Sequence, residues 1–404
     1  MTSNIGRNTQ PAVRSARAKL RGLRRTAVWK AAAAVALLGA LAAWQSVAVQ
    51  AFPPHDTERP CCVAVASEPT ASPPEAVTGG DSKRVIHWTV QNDPGTFVNN
   101  YKKTHAKKVS YVTTSIVVPA TGAHPRKLFQ ASYDGDVIVS DLGDFTNAAV
   151  FTIFRGHWVG RNPIPAPPDR PEVWVVTPSQ DGSRALSATN DGEILLWDTA
   201  PPNGTIIAAV APSGHPVGGL AFVPPSAPGT QETQFLAGQG DGNMILYNIV
   251  QTGAVTKLNP IRPFPHGNAF PVNSVAVTRD GTTAVSGSFD GTVRIWEVAT
   301  ANERAGSPIT AHDDMVWRVA ISPDETKIAS ASEDGTVRLF GMNGKPYYFD
   351  AARTMEAVKQ ETDGVMGVAF VSDNKVIYTT GSVFNGMNSE VRVWDIGGLT
   401  PPPP

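Results

Sequence analysis

AVSGSFDGTVRIWEV (284–298) is the stretch that decides the fold. It reads as a run of small residues, an Asp-Gly turn, and a second run in which apolar and polar side chains alternate. Alternation sends successive side chains to opposite faces of an extended chain. Asp-Gly between two such runs is the strongest short hairpin signal, because glycine tolerates the positive φ of the turn. The unit recurs as IASASEDGTVRLFGM (328–342), ALSATNDGEILLWDT (185–199), FLAGQGDGNMILYNI (235–249) and FQASYDGDVIVSDL (129–142). In all five, the turn aspartate (Asp134, Asp191, Asp241, Asp290 or Asp334) stands six residues before a fixed position, held by Ser140, Trp197, Tyr247, Trp296 and Phe340. Recurrence of one hairpin predicts a repeat architecture, in which each unit buries its apolar surface against the next.

The flanks of the unit also repeat. A closing dipeptide appears as Trp197-Asp198, Trp394-Asp395 and, with a longer acid, Trp296-Glu297. An opening dipeptide appears as Gly156-His157, Gly214-His215 and Ala311-His312, and strands such as VWRVAISPDE (316–325) and VNSVAVTRDG (272–281) follow opening histidines. In these features the chain resembles the WD-repeat family. The resemblance implies an all-β propeller of four-stranded antiparallel blades around a central channel.

A sixth unit reads VMGVAFVSDNKVIYTTGSVFNGMNSEVRVWDI (365–396), with a longer hairpin and no opening histidine. A degenerate seventh lies upstream, where AVTGGDSKRVIHW (76–88) aligns without gaps on AVSGSFDGTVRIW (284–296). Seven blades are expected over residues 52–398, with six as the alternative. The chain ends its last unit one strand short, and the family borrows that strand from the N-terminus. SVAVQAF (46–52) stands in the right place; with six blades, RVIHWTV (84–90) or TFVNNYKK (96–103) would close the ring instead.

Residues 1–55 carry eight Lys and Arg and no Asp or Glu, and AAAAVALLGALAAW (31–44) is an uninterrupted apolar run followed by small residues. A basic region, a short apolar region and a small-residue exit make up a secretory signal. Residues 1–51 are therefore expected to be a cleaved signal or an uncleaved anchor, with residues 27–49 as the membrane tether. A protein of the periplasm or another extracytoplasmic space follows, secreted or anchored, and a mitochondrial presequence is the alternative. Cleavage after Ala51 would remove most of the candidate closing strand, a conflict that the sequence leaves open. TPPPP (400–404) ends the Pro-rich tail that begins at residue 399.

Beyond residue 55, 26 Lys and Arg face 35 Asp and Glu. So acidic a body repels phosphate backbones, which argues against a nucleic-acid partner. Hydrophobic residues make up 41% of the chain, enough for a core, and 36 Gly with 34 Pro suit short strands joined by tight turns. The cysteines are Cys61 and Cys62, adjacent in the chain, and they build neither a disulfide framework nor a metal knuckle.

His55, His105, His157, His215, His266 and His312 all occupy opening positions, one per unit. Spread around a ring, they stand too far apart for one metal ion, whose ligands lie about 2 Å from it. The family resemblance implies a structural role instead, in buried networks of His157, Ser187, Asp191 and Trp197, and of His266, Ser286, Asp290 and Trp296. His215 faces Tyr247, and His312 faces Phe340, so their networks are incomplete. His87 and His124 lie in no ligand pattern. No catalytic signature is present, and Asp313-Asp314 reads as a solvated loop. Neither a cofactor nor a metal site is expected.

The sequence thus points to a non-catalytic scaffold that binds protein partners, with an exported cofactor-binding or hydrolytic propeller as the alternative. The insertions WVGRNPIPAPPDRP (158–171) and NPIRPFPHGNAFP (259–271) read as stiff loops on the face of the hairpin turns. Trp158, Arg161, Phe270 and Trp317 lie in or beside such loops, and Tyr133, Asn190, Phe289 and Glu333 each precede a turn aspartate. Aromatic and Arg side chains supply a disproportionate share of interface energy, so these eight are the candidate partner-binding residues. EPTASPPE (68–75) and VPPSAPGT (223–230) are placed on the opposite face.

Overall fold

The small-residue and alternating runs form hairpins in a computed structural model that describes residues 50–51, 64–68, 75–79, 84–90, 97–104, 112–118, 126–141, 151–159, 170–200, 204–225, 227, 230–348, 358–359, 364–380, 391–397 and 399. The basic and apolar leader to residue 49, Cys61, Cys62, His55, His105, His124, Arg161 and the tail from residue 400 lie outside the described residues, as does the side chain of Trp158.

At the five Asp-Gly turns, Gly135, Gly192, Gly242, Gly291 and Gly335 have φ between 81° and 90°. In the third of the sheets described below, Gly192 N donates to Thr189 O at 3.1 Å and Thr189 N to Glu193 O at 3.1 Å. The aspartate therefore closes a type I turn, and the glycine takes the left-handed position after it, where a side chain would be strained.

The described strands pair into seven four-stranded antiparallel sheets. The first holds Ala64–Glu68, Glu75–Gly79, Arg84–Val90 and Phe97–Thr104, and the second Val112–Val118, Lys127–Ser132, Val137–Asp141 and Phe151–Phe154. The third holds Val173–Pro178, Arg184–Thr189, Ile194–Asp198 and Thr205–Val210, and the fourth Val217–Val223, Gln234–Gln239, Asn243–Thr252 and Val255–Pro265. The fifth holds Val272–Val277, Thr283–Ser288, Thr292–Glu297 and Ile309–Thr310, and the sixth Val316–Ile321, Lys327–Ser332, Thr336–Gly341 and Val358–Lys359. The seventh joins Val365–Ser372, Lys375–Thr380 and Val391–Asp395 to Gln50–Ala51. First strands touch first strands of the neighbouring sheets throughout, and Ala64–Glu68 lies against both Val112–Val118 and Val365–Ser372. The first strands therefore surround the centre, and the architecture is an all-β propeller with four-stranded antiparallel blades.

The apolar core lies between sheets. Ile194 and Leu196 pack with Val217, Leu220, Phe222 and Phe235 of the fourth sheet. Leu195 and Trp197, from the same strand, pack with Phe129, Val139 and Phe154 of the second. Similar clusters join the fourth to the fifth, the fifth to the sixth and the sixth to the seventh. On the side away from the hairpin turns, carboxylates latch neighbouring sheets: Gln180 N donates to Glu232 Oε1 at 2.7 Å and Asp324 N to Asp373 Oδ1 at 2.7 Å.

One sequence expectation changes here, and one alternative for the closing strand falls away. NPIRPFP (259–265) is not a loop; it completes the outermost strand of the fourth sheet, with Pro260 opposite Tyr247, Pro263 opposite Ile245 and Pro265 opposite Asn243. Proline is tolerated because this strand is an edge, whose free side needs no N–H donor. Neither Arg84–Val90 nor Phe97–Thr104 closes the seventh sheet; both pair within the first. The closing strand is Gln50–Ala51, with Gln50 opposite Val393 and Ala51 opposite Arg392.

Closure by Gln50–Ala51 makes the leader boundary a stability determinant. A chain lacking residues 1–51 is expected to melt below one lacking residues 1–45, by roughly 2–4 °C per kcal/mol of lost pairing. Scanning calorimetry of the two truncations checks this, and equal melting temperatures would refute the closure.

Candidate functional site at the mouth of the channel

Six of the first strands share one irregularity. Their register shifts between Val112 and Thr114, Val173 and Val175, Val217 and Gly219, Val272 and Ser274, Val316 and Arg318, and Val365 and Gly367. The residue passed over is Thr113, Trp174, Gly218, Asn273, Trp317 or Met366. A bulge leaves one residue unpaired and re-aims its side chain. Each bulge lies beside the hairpin turn of its own sheet, so these six positions ring the mouth of the channel on the turn side.

Neighbouring sheets are tied together at this level. Thr113 Oγ1 donates to Val173 O at 2.8 Å, Thr114 Oγ1 to Trp174 O at 2.9 Å, and Asn273 Nδ2 to Trp317 O at 3.1 Å. Arg318 reaches from the sixth sheet to the second, donating to Thr113 O at 3.1 Å and Thr114 Oγ1 at 2.9 Å. A guanidinium therefore spans the channel below the mouth.

Three of the sequence-chosen residues meet here. Trp317 packs edge-on against Phe289, with ring centroids 5.0 Å apart, and its indole N–H donates to Glu333 Oε2 at 2.9 Å. Phe270 is 55% exposed, and the next residue, Pro271, accepts the Phe289 N–H at 2.9 Å. Asn190 belongs to a second group, where its Oδ1 accepts the Glu172 N–H at 3.1 Å and Trp174 Nε1 donates to Glu172 Oε2 at 2.8 Å. Tyr133 is half-buried in the second sheet's turn. Trp174, Glu172, Asn273 and Arg318 were not chosen from the sequence. The signal for Trp174 is present, since Val173-Trp174 and Val316-Trp317 open equivalent strands. In the connection to the sixth sheet, Asp313 N donates to Asp334 Oδ2, and Asp314 Oδ1 accepts from Met315 N. Among the described residues, no group of three or more His, Cys, Asp or Glu is placed to hold a metal ion.

The histidine networks hold this scaffold, with changes of membership. His157 is buried; its Nε2 lies 2.7 Å from Ser187 Oγ, which accepts the Trp197 indole N–H at 2.7 Å. Its Nδ1 meets Glu193 Oε2 at 2.7 Å, so Glu193 takes the role expected of Asp191. A carboxylate only accepts, so Nδ1 carries the proton and Nε2 accepts from the serine. Asp191 is instead engaged by the Thr189 hydroxyl. His266 keeps Ser286 and Trp296, each at 2.8 Å through Ser286 Oγ. Its expected acid, Asp290, is drawn away by Asn268 Nδ2 at 2.6 Å and by Thr292, and the buried His266 Nδ1 has no hydrogen-bond partner. His312 holds Ser330 at 2.7 Å and Asp334 at 3.0 Å, with Phe340 replacing the tryptophan. His215 does not face Tyr247; it is exposed. Ala237 stands where the other sheets place Ser187, Ser286 and Ser330, and without a hydroxyl nothing repays burying an imidazole.

Burial, reinforced by the Arg294 charge and only partly opposed by Asp290, pushes the His266 pKa from 6.5 down to about 3. Burial also lowers that of His312, against the pull of Asp334. Burial alone would raise the Asp334 carboxyl, but bonds from His312 and Thr336 outweigh it and hold the group well below the usual carboxylate range.

A histidine whose folded pKa is depressed favours the folded state above its unfolded pKa. That contribution is lost as pH falls from about 6.5 toward about 3. Stability should therefore decline from about pH 6.5 to about pH 4, and His266→Gln should flatten the decline by up to about 1.4 kcal/mol per pH unit. Urea unfolding across that range measures it, and an unchanged slope in the variant would contradict the assignment. Separately, Trp296→Phe keeps most of the packing but loses the bond to Ser286, and should cost about 1–2 kcal/mol in the same assay.

The chain matches the family model described as WD domain, G-beta repeat, over residues 164–198, 258–297 and 306–340. It is 24% identical over 246 residues to WD repeat-containing protein 90 of Mus musculus, which covers 58% of this chain and 12% of that protein. It is 30% identical over 166 residues to a guanine nucleotide-binding protein subunit beta of Zea mays, covering 41% of this chain and 42% of that protein. The chain thus spans less than half the length of either relative. The three matched segments are those that supply the serine of each buried histidine network, in the third, fifth and sixth sheets. Sequence match and hydrogen-bonded geometry converge on the same repeats: the chain is a β-propeller that carries WD repeats in its third, fifth and sixth sheets.

Proposed function

We propose that this chain is a non-catalytic scaffold that binds protein partners outside the cytoplasm, through the turn-side mouth of a single seven-bladed ring. The observation that carries this reading is the Phe289–Trp317–Glu333 cluster with the exposed Phe270 beside it. Aromatic side chains at the centre of a face, anchored by a carboxylate rather than free to rotate, bind with little further loss of entropy. The maize relative is a subunit by name, consistent with a role in an assembly. Seven blades are favoured over six because the first strand of the first sheet touches the first strands of both its ring neighbours. The extracytoplasmic location rests on the basic and apolar leader, with residues 27–49 as the tether.

The test is affinity purification of the full chain from native membranes, comparing wild type with a Phe270→Ala, Trp317→Ala double variant. Loss of two central aromatics should reduce recovery of a specific partner by ~10-fold or more in a variant that still unfolds in one cooperative transition. A partner recovered equally by both proteins would refute the binding face.

A further inference from the structure

The mouth combines two features that together select one ligand chemistry. Trp174 and Trp317 occupy the same bulge position in the third and sixth sheets, both half-exposed, and each indole N–H is already given to a carboxylate, Glu172 or Glu333. With their donors engaged, what the half-exposed tryptophans leave for a ligand is aromatic surface. A ring face beside a carboxylate attracts a cation: the quadrupole and the charge act in the same direction. Asp313 and Asp314, in the connection entering the sixth sheet, add negative charge on this side.

The turn side also carries basic residues. Arg84, Lys102 and Lys103 stand at the turn-side ends of strands in the first sheet, and Lys359 is in the outermost strand of the sixth. Arg155 pairs with Asp136 at 3.8 Å, and half-buried Arg170 precedes Glu172 in the connection to the third sheet. The channel below already takes a guanidinium, that of Arg318, on the oxygens of Thr113 and Thr114.

We infer that the arc of the mouth from the third to the sixth sheet receives arginine or lysine side chains from an extended basic segment of a partner protein. This rests on the proposal that the turn side is the partner-binding face, and it adds the partner's chemistry. Charge complementarity would speed encounter and exclude acidic segments, and the aromatic faces would hold the cation once it is desolvated.

The probe is a fluorescein-labelled octapeptide of alternating Arg and Gly, with its Glu-Gly counterpart as control, titrated by anisotropy into the full chain in non-ionic detergent. The Arg peptide should bind ~10-fold or more tightly than the Glu peptide, and raising the salt should weaken it. Glu172→Gln with Glu333→Gln keeps an oxygen acceptor for each indole but removes both charges, and should weaken binding ~5-fold or more at unchanged melting temperature. Trp317→Ala should weaken binding by a similar factor. Equal binding of the two peptides, or wild-type affinity in the Gln variant, overturns the inference. If the Phe270, Trp317 double variant loses its native partner while the Arg peptide binds no better than the Glu peptide, the face stands and the cation specificity falls.

Discussion

The strand Ile194–Asp198 buries Ile194 and Leu196 against the fourth sheet and Leu195 and Trp197 against the second. Both of its faces are apolar, so no single sheet could be stable in water. Each large side chain contributes about 1.5–3 kcal/mol only when the neighbouring sheet covers it. This two-sided burial is the constraint from which the rest follows. It demands that every sheet have a neighbour on each side, a demand that an open row of sheets fails at both ends and a ring meets everywhere. The pairing of Gln50 and Ala51 with Arg392 and Val393 answers the same demand at the level of the backbone, supplying the last sheet with a strand from the far end of the chain.

The buried histidines show how polar groups enter such a core. Each surviving network is anchored by a serine hydroxyl within 2.8 Å of the imidazole Nε2, while the fourth member varies. Glu193 supplies the acid in the third sheet, Asp334 in the sixth, and none does so in the fifth, where Asn268 captures Asp290. The serine meets the imidazole in every network and, in the third and fifth sheets, its hydroxyl also accepts the indole N–H across the hairpin. Where it becomes Ala237 the histidine leaves the core, and Phe235 and Tyr247 stack instead at 4.9 Å.

The same ring geometry creates the mouth. A β-bulge at the turn-side end of six first strands sets one unpaired residue from each at the mouth, and the identities at those positions give the face its character. Small residues at Gly218 and Asn273 pack tightly, since a Cβ on Gly218 would meet Asn273 Oδ1 at 2.4 Å. Trp174 and Trp317 supply the aromatic surface. Rigidity comes from the inter-sheet hydrogen bonds and from Arg318; Trp174 and Trp317 stand on strands, while Phe270 and Phe289 lie in a connection and a turn.

The hairpin period and the left-handed glycines at the Asp-Gly turns are local properties, which is why alternation and turn residues determined the repeat, while the propeller class and the serine–tryptophan–histidine sets around Ser187, Ser286, Trp197 and Trp296 were implied by the family resemblance. The cluster of Phe289, Trp317 and Glu333 was partly legible for the same reason, each residue holding a fixed place in its repeat. Competition between groups was not legible. Whether Asp191 or Glu193 meets His157, and whether Asp290 serves His266 or Asn268, depends on which donors lie within bonding distance across a loop. The prolines at 260, 263 and 265 spoke for a loop until the tertiary structure made their strand an edge. Spacing along the chain dictates what a hairpin must be; only packing around the ring decides which atoms of different hairpins come close enough to bond.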